Sequence, residues 1–254
     1  MKFFLNELKV VLISKYRYKF ELISSWLLYI LIFGVLIKTA KGYVNSIPKE
    51  GAEIIISYAL WMLVLSVTTQ FASQIQSSAE EGTLEQIFIT PVNPFMILIF
   101  REIADFLVQF IGFVIVILVL ANISNLKLFL NPIGFIPFVI TIVGSMGIGF
   151  ISGSVALFTK KSYGINLIIQ FYLLVVSVIP TSIYDKIRII KYLLPYSGGV
   201  EIMRKCFLEE LRFNSFILDL NLWIFFLNSI FYFLIGLCMF NNTIKIAKQK
   251  GLLA

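Results

Sequence analysis

A short segment that is rich in glutamate lies between two long apolar segments of the chain. It reads "SSAEEGTLEQIFITPVNPF" (residues 77–95), with three carboxylates and no Lys or Arg, in a chain whose net charge is +7. Acid–base or metal chemistry would need histidine or further ligands, but the chain has no His and only two cysteines, Cys206 and Cys238. We therefore expect no catalytic residue and no metal site, and the carboxylates are better suited to binding through charge.

The same segment has the start and stop signals of a short helix. Ser78–Glu81 and Thr83–Gln86 both have the spacing of a capping box, so a helix can begin near either of them. The pairs Thr90–Pro91 and Asn93–Pro94 end it, because a residue before proline avoids the helical region. Apolar side chains at i, i+3 and i+4 share one face: Leu84, Ile87 and Phe88. The sequence therefore predicts a short amphipathic helix over 78–90.

The acidic edge of this predicted helix indicates what it faces. Helices that lie on a membrane surface are normally basic, because anionic lipids repel glutamate. A helix edged with carboxylates is therefore better suited to a protein partner than to a lipid surface. The residues alone are equally compatible with an ordinary capped turn between two apolar segments.

Polar side chains also recur at three- to four-residue spacing in the apolar segment before this helix: Ser66, Thr69, Gln70, Ser73, Gln74 and Ser77. Glutamine is costly in lipid, so this polar stripe should face protein or water. The stripe either forms the wall of a substrate path or makes hydrogen bonds between helices. The same two interpretations apply to Asn166 and Gln170. Tyr58 and Trp61 either line the path or belong to an aromatic belt at the membrane interface.

The composition of the chain indicates that these residues belong to a membrane protein. Apolar residues make up 59% of the 254 residues, charged residues make up 14%, and the mean hydropathy is +0.93. Such a chain cannot cover a water-facing surface. Several segments approach or exceed the ~20 residues that cross a bilayer, and lipid leaves helices as the structure for them. We expect an all-α polytopic membrane protein, one transmembrane domain over 1–254, with six spans at about 22–38, 53–76, 97–121, 132–158, 163–184 and 216–240.

Basic residues set the expected orientation. Lys and Arg are concentrated before the first span, at Lys160 and Lys161, and in the C-terminal tail, which places both termini of this multi-pass cell-membrane protein in the cytoplasm. Residues 1–20 are predicted to form an interfacial helix whose apolar face includes Leu8, Val11 and Leu12. The alternative is a basic flank that only fixes topology. The basic charge fits anionic lipid headgroups better than nucleic acid.

Two clusters in the spans are interpreted as structural. The fourth span has small residues every four positions, which favours close helix packing: Ser145, Gly149 and Gly153. The third span begins with Arg101, Glu102 and Asp105. These are interpreted as a solvated collar at the interface, in which Arg101 could pair with either acid.

Two motifs resemble those of a known family. "EEGTLEQIFITP" resembles the hallmark of the membrane subunits of second-type ABC exporters, and the matching residues are Glu81, Gly82, Thr83, Leu84, Glu85 and Pro91. "LPYSGGVEIMR" resembles the outer re-entrant motif of that family, with Pro195, Glu201 and Arg204 at the family's offsets. It departs from the motif at Leu194, where the family has Asn, and at Gly198, where it has Tyr or His. The resemblance covers the whole chain.

The resemblance implies that the helix over 78–90 is a coupling helix, which docks in a groove of a separate ATPase subunit. The residues implied in this contact are Glu81, Gly82, Thr83, Leu84, Glu85, Gln86, Ile87, Phe88 and Pro91. Among them, the carboxylates and Gln86 would pair with polar groups of the ATPase, while Leu84, Ile87 and Phe88 would fill its groove. A second permease subunit, a copy or a paralogue, is also implied, with outer re-entrant helices over 185–215 between spans five and six.

The expected function is the membrane-spanning subunit of an ATP-driven exporter, with the substrate path in a dimer. We expect no cofactor in this chain. ATP and Mg²⁺ would belong to the ATPase, since the sequence has no G-x-x-x-x-G-K-[ST] loop. The expected cargo is apolar or amphiphilic, such as a drug, lipid or peptide, and the alternative is a polysaccharide or glycolipid.

Other classes of membrane protein have less support. A secondary transporter would need ionisable residues near mid-membrane. A membrane enzyme has little support without a nucleophile–base pair, and the sequence also allows a non-transporting assembly factor.

Overall fold

The computed structural model describes residues 2–43, 48–124, 132–178, 194–208 and 220–250. Its long apolar segments are helical, because a helix satisfies its own backbone groups without water. In chain order the helices are α1 (Lys2–Arg17), α2 (Lys19–Tyr43), α3 (Pro48–Glu80), α4 (Thr83–Ile89), α5 (Pro94–Ser124), α6 (Phe135–Thr159), α7 (Tyr163–Val178), α8 (Pro195–Leu208) and α9 (Leu220–Lys250), with a 3-10 turn at Pro132–Gly134. All regular structure in these ranges is helical, which confirms the all-α prediction.

Four stretches of the described chain are long and apolar enough to cross a bilayer: Ile56–Glu80, Pro94–Leu120, Phe135–Thr159 and Leu220–Gln249. A polytopic membrane protein is therefore confirmed. The count of six spans stays a prediction. Helix α2 covers the predicted first span, and α7 covers 163–178 of the predicted fifth span, whose remainder lies outside the described residues. The predicted re-entrant region 185–215 is described only at 194–208, which includes α8.

Helix α6 lies at the centre of the bundle, between α3 and α9. Its small residues allow α3 to approach closely. A Cβ atom added at Gly149 would lie 2.8 Å from the carbonyl oxygen of Val67, and one added at Gly153 would strike the ring of Phe71. Ser145 is also buried. The prediction that these small residues serve close packing is confirmed for Gly149 and Gly153.

The two largest apolar clusters of the described residues hold most of the bundle together. The larger one joins α3, α5, α6, α7 and α8. The second one surrounds the short helix α4, and it contains Phe71, Ala72, Ile75, Leu84, Ile87, Ile97, Leu98, Phe150, Ala156, Leu157, Phe240, Ile244 and Ala247. Because these residues come from α3, α4, α5, α6 and α9, the second cluster fixes α4 against four longer helices.

Helix α1 packs along α5. Val11 is buried and Leu8 is half-buried, whereas Leu12, which the sequence placed on the same apolar face, is exposed. The predicted apolar face of α1 is therefore covered partly by protein rather than by lipid alone. The helical periodicity identified an apolar side, but it could not distinguish a neighbouring helix from a bilayer as the surface that covers it.

Candidate functional site

Helix α4 begins later than the sequence predicted. Helix α3 continues through Glu80, and Gly82 then adopts a left-handed backbone conformation with φ of 69° before α4 begins at Thr83. No side chain caps α4. Instead, the Thr83 hydroxyl donates a hydrogen bond of 3.3 Å back to the Ser78 carbonyl oxygen. The predicted helix over 78–90 is therefore wrong in its first turn, because Ser78 still belongs to α3.

The exit from α4 follows the predicted proline signals. Thr90 is extended, and its hydroxyl donates a 2.7 Å hydrogen bond to the Ile87 carbonyl oxygen. Pro94 is the first residue of α5, where a missing N–H is tolerated. The Asn93 side-chain oxygen accepts a 3.1 Å hydrogen bond from the Phe95 amide. Fixed links at both ends hold α4 in a defined direction between α3 and α5.

The apolar side of α4 is used inside this chain. Leu84 and Ile87 are buried in the second apolar cluster, where α9 contributes Phe240, Ile244 and Ala247. Half-buried Phe88 packs on the same cluster, and the Lys248 ammonium lies 6.0 Å from the centre of its ring. The expectation that Leu84 and Ile87 fill a groove of a partner is therefore wrong for this conformation, because α9 already covers them.

The opposite side of α4 is open. We define the docking face as Glu81, Gly82, Glu85, Gln86 and Ile89, which are all exposed. Ile89 is 82% exposed, and sequence reasoning missed it. The signal was present, since Gly82, Glu85, Gln86 and Ile89 have the i, i+3, i+4, i+7 spacing of one helix face. Pro91 is exposed beyond this face, and Thr83 is half-buried beside it.

The polar stripe of α3 bonds partly to its own helix and partly to α7. The hydroxyls of Ser66, Thr69 and Ser73 each donate to a backbone carbonyl one turn earlier. Asn166 Nδ2 of α7 donates to the Thr69 carbonyl oxygen at 3.4 Å and to the Ser73 hydroxyl at 3.1 Å. Hydrogen bonding between helices, one of the two interpretations, is thus present at Asn166. Gln170 is exposed and Gln70 is half-buried.

A charged cluster joins α1, α3 and α5. Gln74 of the polar stripe donates to the Asp105 carboxylate. The Lys15 ammonium lies 3.0 Å from the same carboxylate group. Glu102 is also buried, and one of its oxygens has no hydrogen-bond partner among the described residues.

Arg101, beside this cluster, bonds to Glu7 of α1 at 2.9 Å. The interpretation of Arg101, Glu102 and Asp105 as a solvated collar is therefore wrong for both acids. The reason is that α1 covers this side of α5 and supplies the counter-charges.

One further polar contact was missed in the sequence. Gln76 Oε1 accepts hydrogen bonds from the Ser162 amide at 2.8 Å and from its hydroxyl at 2.7 Å. This contact ties the last turns of α3 to the beginning of α7. Gln76 lies three residues after Ser73, so the spacing of the polar stripe was a signal that could have selected it.

Tyr58 and Trp61 belong to an aromatic cluster. Their ring centroids lie 5.1 Å apart, and Tyr29 of α2 makes edge contacts with Tyr58 at 6.5 Å and with Trp61 at 6.3 Å. Trp61 is buried and Tyr58 is half-buried. The rings join α2 to α3, an arrangement that serves packing whatever else they contact.

The motif residues of α8 lie in the protein interior. Pro195, Glu201 and Arg204 are all buried. Arg204 Nε donates a 2.6 Å hydrogen bond to the Ser57 hydroxyl, and its Nη2 donates to the Ser177 carbonyl oxygen at 3.0 Å. Glu201 pairs with Lys205 at 2.9 Å. Arg204 thereby connects α8 to both α3 and α7.

Tyr196 makes a second connection at the same place. Its hydroxyl donates to the Ser57 carbonyl oxygen at 3.2 Å and lies 2.7 Å from the Ser177 hydroxyl. Ser57, Ser177 and Tyr196 escaped sequence reasoning because their partners are far away in the chain. Among the described residues, no three acidic or thiol side chains lie close enough together to hold a metal ion.

The comparison with known proteins bears on the whole arrangement. No curated protein and no solved structure matches the chain. The family model described as "ABC-2 family transporter protein" matches residues 62–251. The match includes α4, α5, α6, α7, α8 and α9 in full and most of α3. Since it covers well over half of the chain, the chain belongs to the ABC-2 transporter family and is a membrane permease of that family.

Proposed function

We propose that this chain is the membrane-spanning subunit of an ATP-driven exporter and that α4 receives the motion of a separate ATPase subunit. One observation carries the proposal. Helix α4 exposes its docking face while its opposite side is built into the second apolar cluster with α3, α5, α6 and α9. A partner that moves the docking face must therefore also move the four longer helices.

The chemistry of the docking face suits a protein groove with a basic rim. Glu81 and Glu85 are exposed on it, and Glu85 lies in the first turn of α4, where a carboxylate is compatible with the helix dipole. Ile89 adds an exposed apolar side chain at the other end of the face. A centre of apolar contact with surrounding charged groups is the usual composition of a specific protein interface.

The remaining parts of the function follow from this role. ATP and Mg²⁺ would be bound in the ATPase, and the substrate path would lie between two permease subunits. Ser66, Thr69, Gln70, Ser73 and Gln170 could then line that path, because lipid would penalise polar side chains that face it. Both termini would face the cytoplasm, together with α4. We propose an apolar or amphiphilic cargo, with a polysaccharide or glycolipid as the alternative.

The test is retention of an ATPase by the tagged full chain, followed by ATP-driven export in vesicles. We expect the wild-type chain to retain a protein with its own phosphate-binding loop and ATPase activity. The variants Glu85→Arg and Ile89→Asp should each lower that retention by at least about tenfold, since reversed or buried charge costs several kcal/mol at an interface. A double variant combines Glu85→Arg with Ile89→Asp. Full retention of the ATPase and full export by this variant would contradict the proposal.

The matched control is Glu21→Arg, which reverses an exposed carboxylate on α2, away from α4. We expect normal ATPase retention from this variant. A second control separates docking from folding. Leu84→Ala removes a side chain that is only 3% exposed, so it should lower the stability of the permease itself. The docking-face variants should leave that stability unchanged.

An ion-driven secondary transporter is the alternative mechanism. It would use ionisable side chains within the spans, and Glu102 and Asp105 are buried in α5. Asp105, however, is already engaged by Lys15 and Gln74. Transport that runs on a proton gradient without ATP, and that is lost in Glu102→Gln, would favour this alternative over the exporter.

A further inference from the structure

Helix α1 has two chemically different sides. The side that faces α5 includes half-buried Glu7, Leu8 and Lys15 with buried Val11. Two ion pairs fix this side, Glu7 to Arg101 at 2.9 Å and Lys15 to Asp105 at 3.0 Å. The two pairs lie about two helical turns apart on α1. They therefore determine which side of α1 points away from the protein.

The side that points away is basic and aromatic around the junction of α1 and α2, while the rest of the exposed side of α1 also carries aliphatic side chains: Leu5, Val10, Leu12 and Ile13. We define the basic–aromatic face as the exposed residues Lys9, Tyr16 and Arg17 of α1, Tyr18 between the helices, and Lys19 and Phe20 of α2. Tyr16 is 74% and Phe20 is 84% exposed. The Lys19 ammonium lies 5.0 Å from the centre of the Tyr16 ring. No exposed acidic side chain occurs between Leu5 and Phe20, because Glu7 turns towards Arg101.

Aliphatic side chains alone make up the large exposed residues that are described after this junction in α2. Beyond Phe20 the large exposed side chains of α2 are aliphatic: Ile23, Leu27, Leu28, Leu31, Ile32 and Val35. Such a surface belongs in the hydrocarbon region, whereas Lys, Arg and Tyr collect at the headgroup level. The basic–aromatic face therefore lies where the chain enters the bilayer, and only Glu21 carries an exposed negative charge at this boundary.

We propose that the basic–aromatic face, which lies at the junction of α1 and α2, binds anionic phospholipid headgroups, while the two ion pairs hold the opposite side of α1 on α5. Three cations without an interspersed acid attract anionic lipid, each contributing through the negative surface potential of the leaflet. The aromatic rings fit the interface because they combine an apolar body with a polar edge or hydroxyl. This surface is separate from the docking face, and the proposal does not depend on an ATPase partner.

The experiment measures lipid enrichment around α1 in the full chain. A donor dye is attached to Ser14→Cys, an exposed position on α1, in a Cys238→Ala background that removes the exposed native thiol. The protein is placed in nanodiscs of unlabelled phosphatidylcholine. A fraction of the lipid carries an acceptor dye on its acyl chain, and this labelled lipid is either phosphatidylglycerol or phosphatidylcholine. Energy transfer is then measured as the fraction of the acceptor lipid increases.

We expect phosphatidylglycerol to reach half-maximal transfer at a lower fraction than phosphatidylcholine. Salt should reduce the difference, because it screens exposed charges. Lys9, Arg17 and Lys19 are each replaced by Gln. Each replacement at a residue that contacts the lipid surface should raise the phosphatidylglycerol fraction at half-maximal energy transfer by about fivefold. The matched control, Lys160→Gln with Lys161→Gln, removes two exposed cations elsewhere and should leave the preference unchanged.

Three results would overturn the proposal. Equal transfer from both lipids in the wild-type chain would show that the face does not select anionic headgroups, and this result needs no variant. An unchanged preference in the triple Gln variant would place the lipid site elsewhere. Loss of ATPase retention in that variant, with an unchanged lipid preference, would assign the face to a protein partner instead.

Discussion

Gly82 determines the direction in which α4 leaves α3. Its φ of 69° lies in the left-handed region, which glycine adopts without a penalty. The Gly82 amide donates to the Ala79 carbonyl oxygen at 3.3 Å, so it also closes the last turn of α3. A glycine just past the last helical residue is the usual helix stop. Gly82 therefore explains why α3 continues through Ser78 and ends at Glu80.

The first prediction concerns this glycine. Gly82→Ala should lower the free energy of unfolding in detergent by about 1 kcal/mol, because an L side chain in the left-handed region costs about that much. The added Cβ atom would meet nothing within 4 Å, so the loss would come from backbone strain alone. Gly164→Ala is the control, since its surroundings are equally open and its φ is not positive. Chemical denaturation measures both variants, and equal stabilities would contradict the explanation.

A second prediction concerns Lys15, which supplies positive charge to the buried Asp105 and its neighbour Glu102. Lys15→Gln should lower the free energy of unfolding by about 2 kcal/mol. This is less than the ~3–5 kcal/mol for breaking a fully buried pair, because the Lys15 side chain remains 27% exposed. Hydrogen exchange should increase in α1 before it increases in α6. The control is Lys161→Gln at an exposed position, and a similar loss in that variant would argue against a specific role of Lys15.

At the scale of single residues, the sequence identified the right segments and misassigned some side chains. The apolar periodicity selected Leu84 and Ile87 correctly as one face of α4. It could not show that Phe240 and Ile244, more than 150 positions later in the chain, already cover that face. Arg204 was selected from a motif, but its partners Ser57 and Ser177 are ordinary serines without a local signal.

At the scale of elements, helix existence was more predictable than helix ends. Apolar length identified α3, α5, α6 and α9, because spanning segments in lipid must be helical. The beginning of α4 was ambiguous because capping-box spacing occurs twice within six residues, and that spacing is only a local signal. The end of α4 was clear, since Pro91 and Pro94 exclude a continuous helix into α5.

A close backbone contact between α6 and α9 supports a third prediction. Gly147 of α6 and Gly236 of α9 lie backbone to backbone, and a Cβ atom added at either one would strike the other helix. Gly236→Ala should therefore force α6 and α9 apart and lower the free energy of unfolding by about 2 kcal/mol, within the range for overpacked cores. The open position Gly34→Ala serves as the control. Thermal unfolding in detergent measures both, and an unchanged melting temperature for Gly236→Ala would show that the contact can relax.

At the scale of the whole molecule, α9 connects the two regions in which motifs were found. Its 31 residues span about 46 Å. Near its beginning, Leu222 and Phe225 pack with Ile202 of α8. Near its end, Ile244 and Ala247 pack with α4. A displacement of α4 is therefore applied directly to a helix that also contacts α8, although no sequence pattern connects these two motifs.

The last prediction tests whether α9 holds α4 in place. Ile244→Asp puts an unpaired carboxylate into the cluster around Leu84 and Ile87, at a position that is 3% exposed. We expect hydrogen exchange in 83–89 to become faster by at least tenfold, while exchange in α8 stays within about twofold of wild type, because the α8 contacts lie at the other end of α9. Lys245→Asp, the neighbouring exposed position, provides a matched control for the added charge and should leave α4 protected. Protection of α4 that survives Ile244→Asp would mean that α3 and α5 hold it without α9. The docking face would then move independently of the helix that leads to α8.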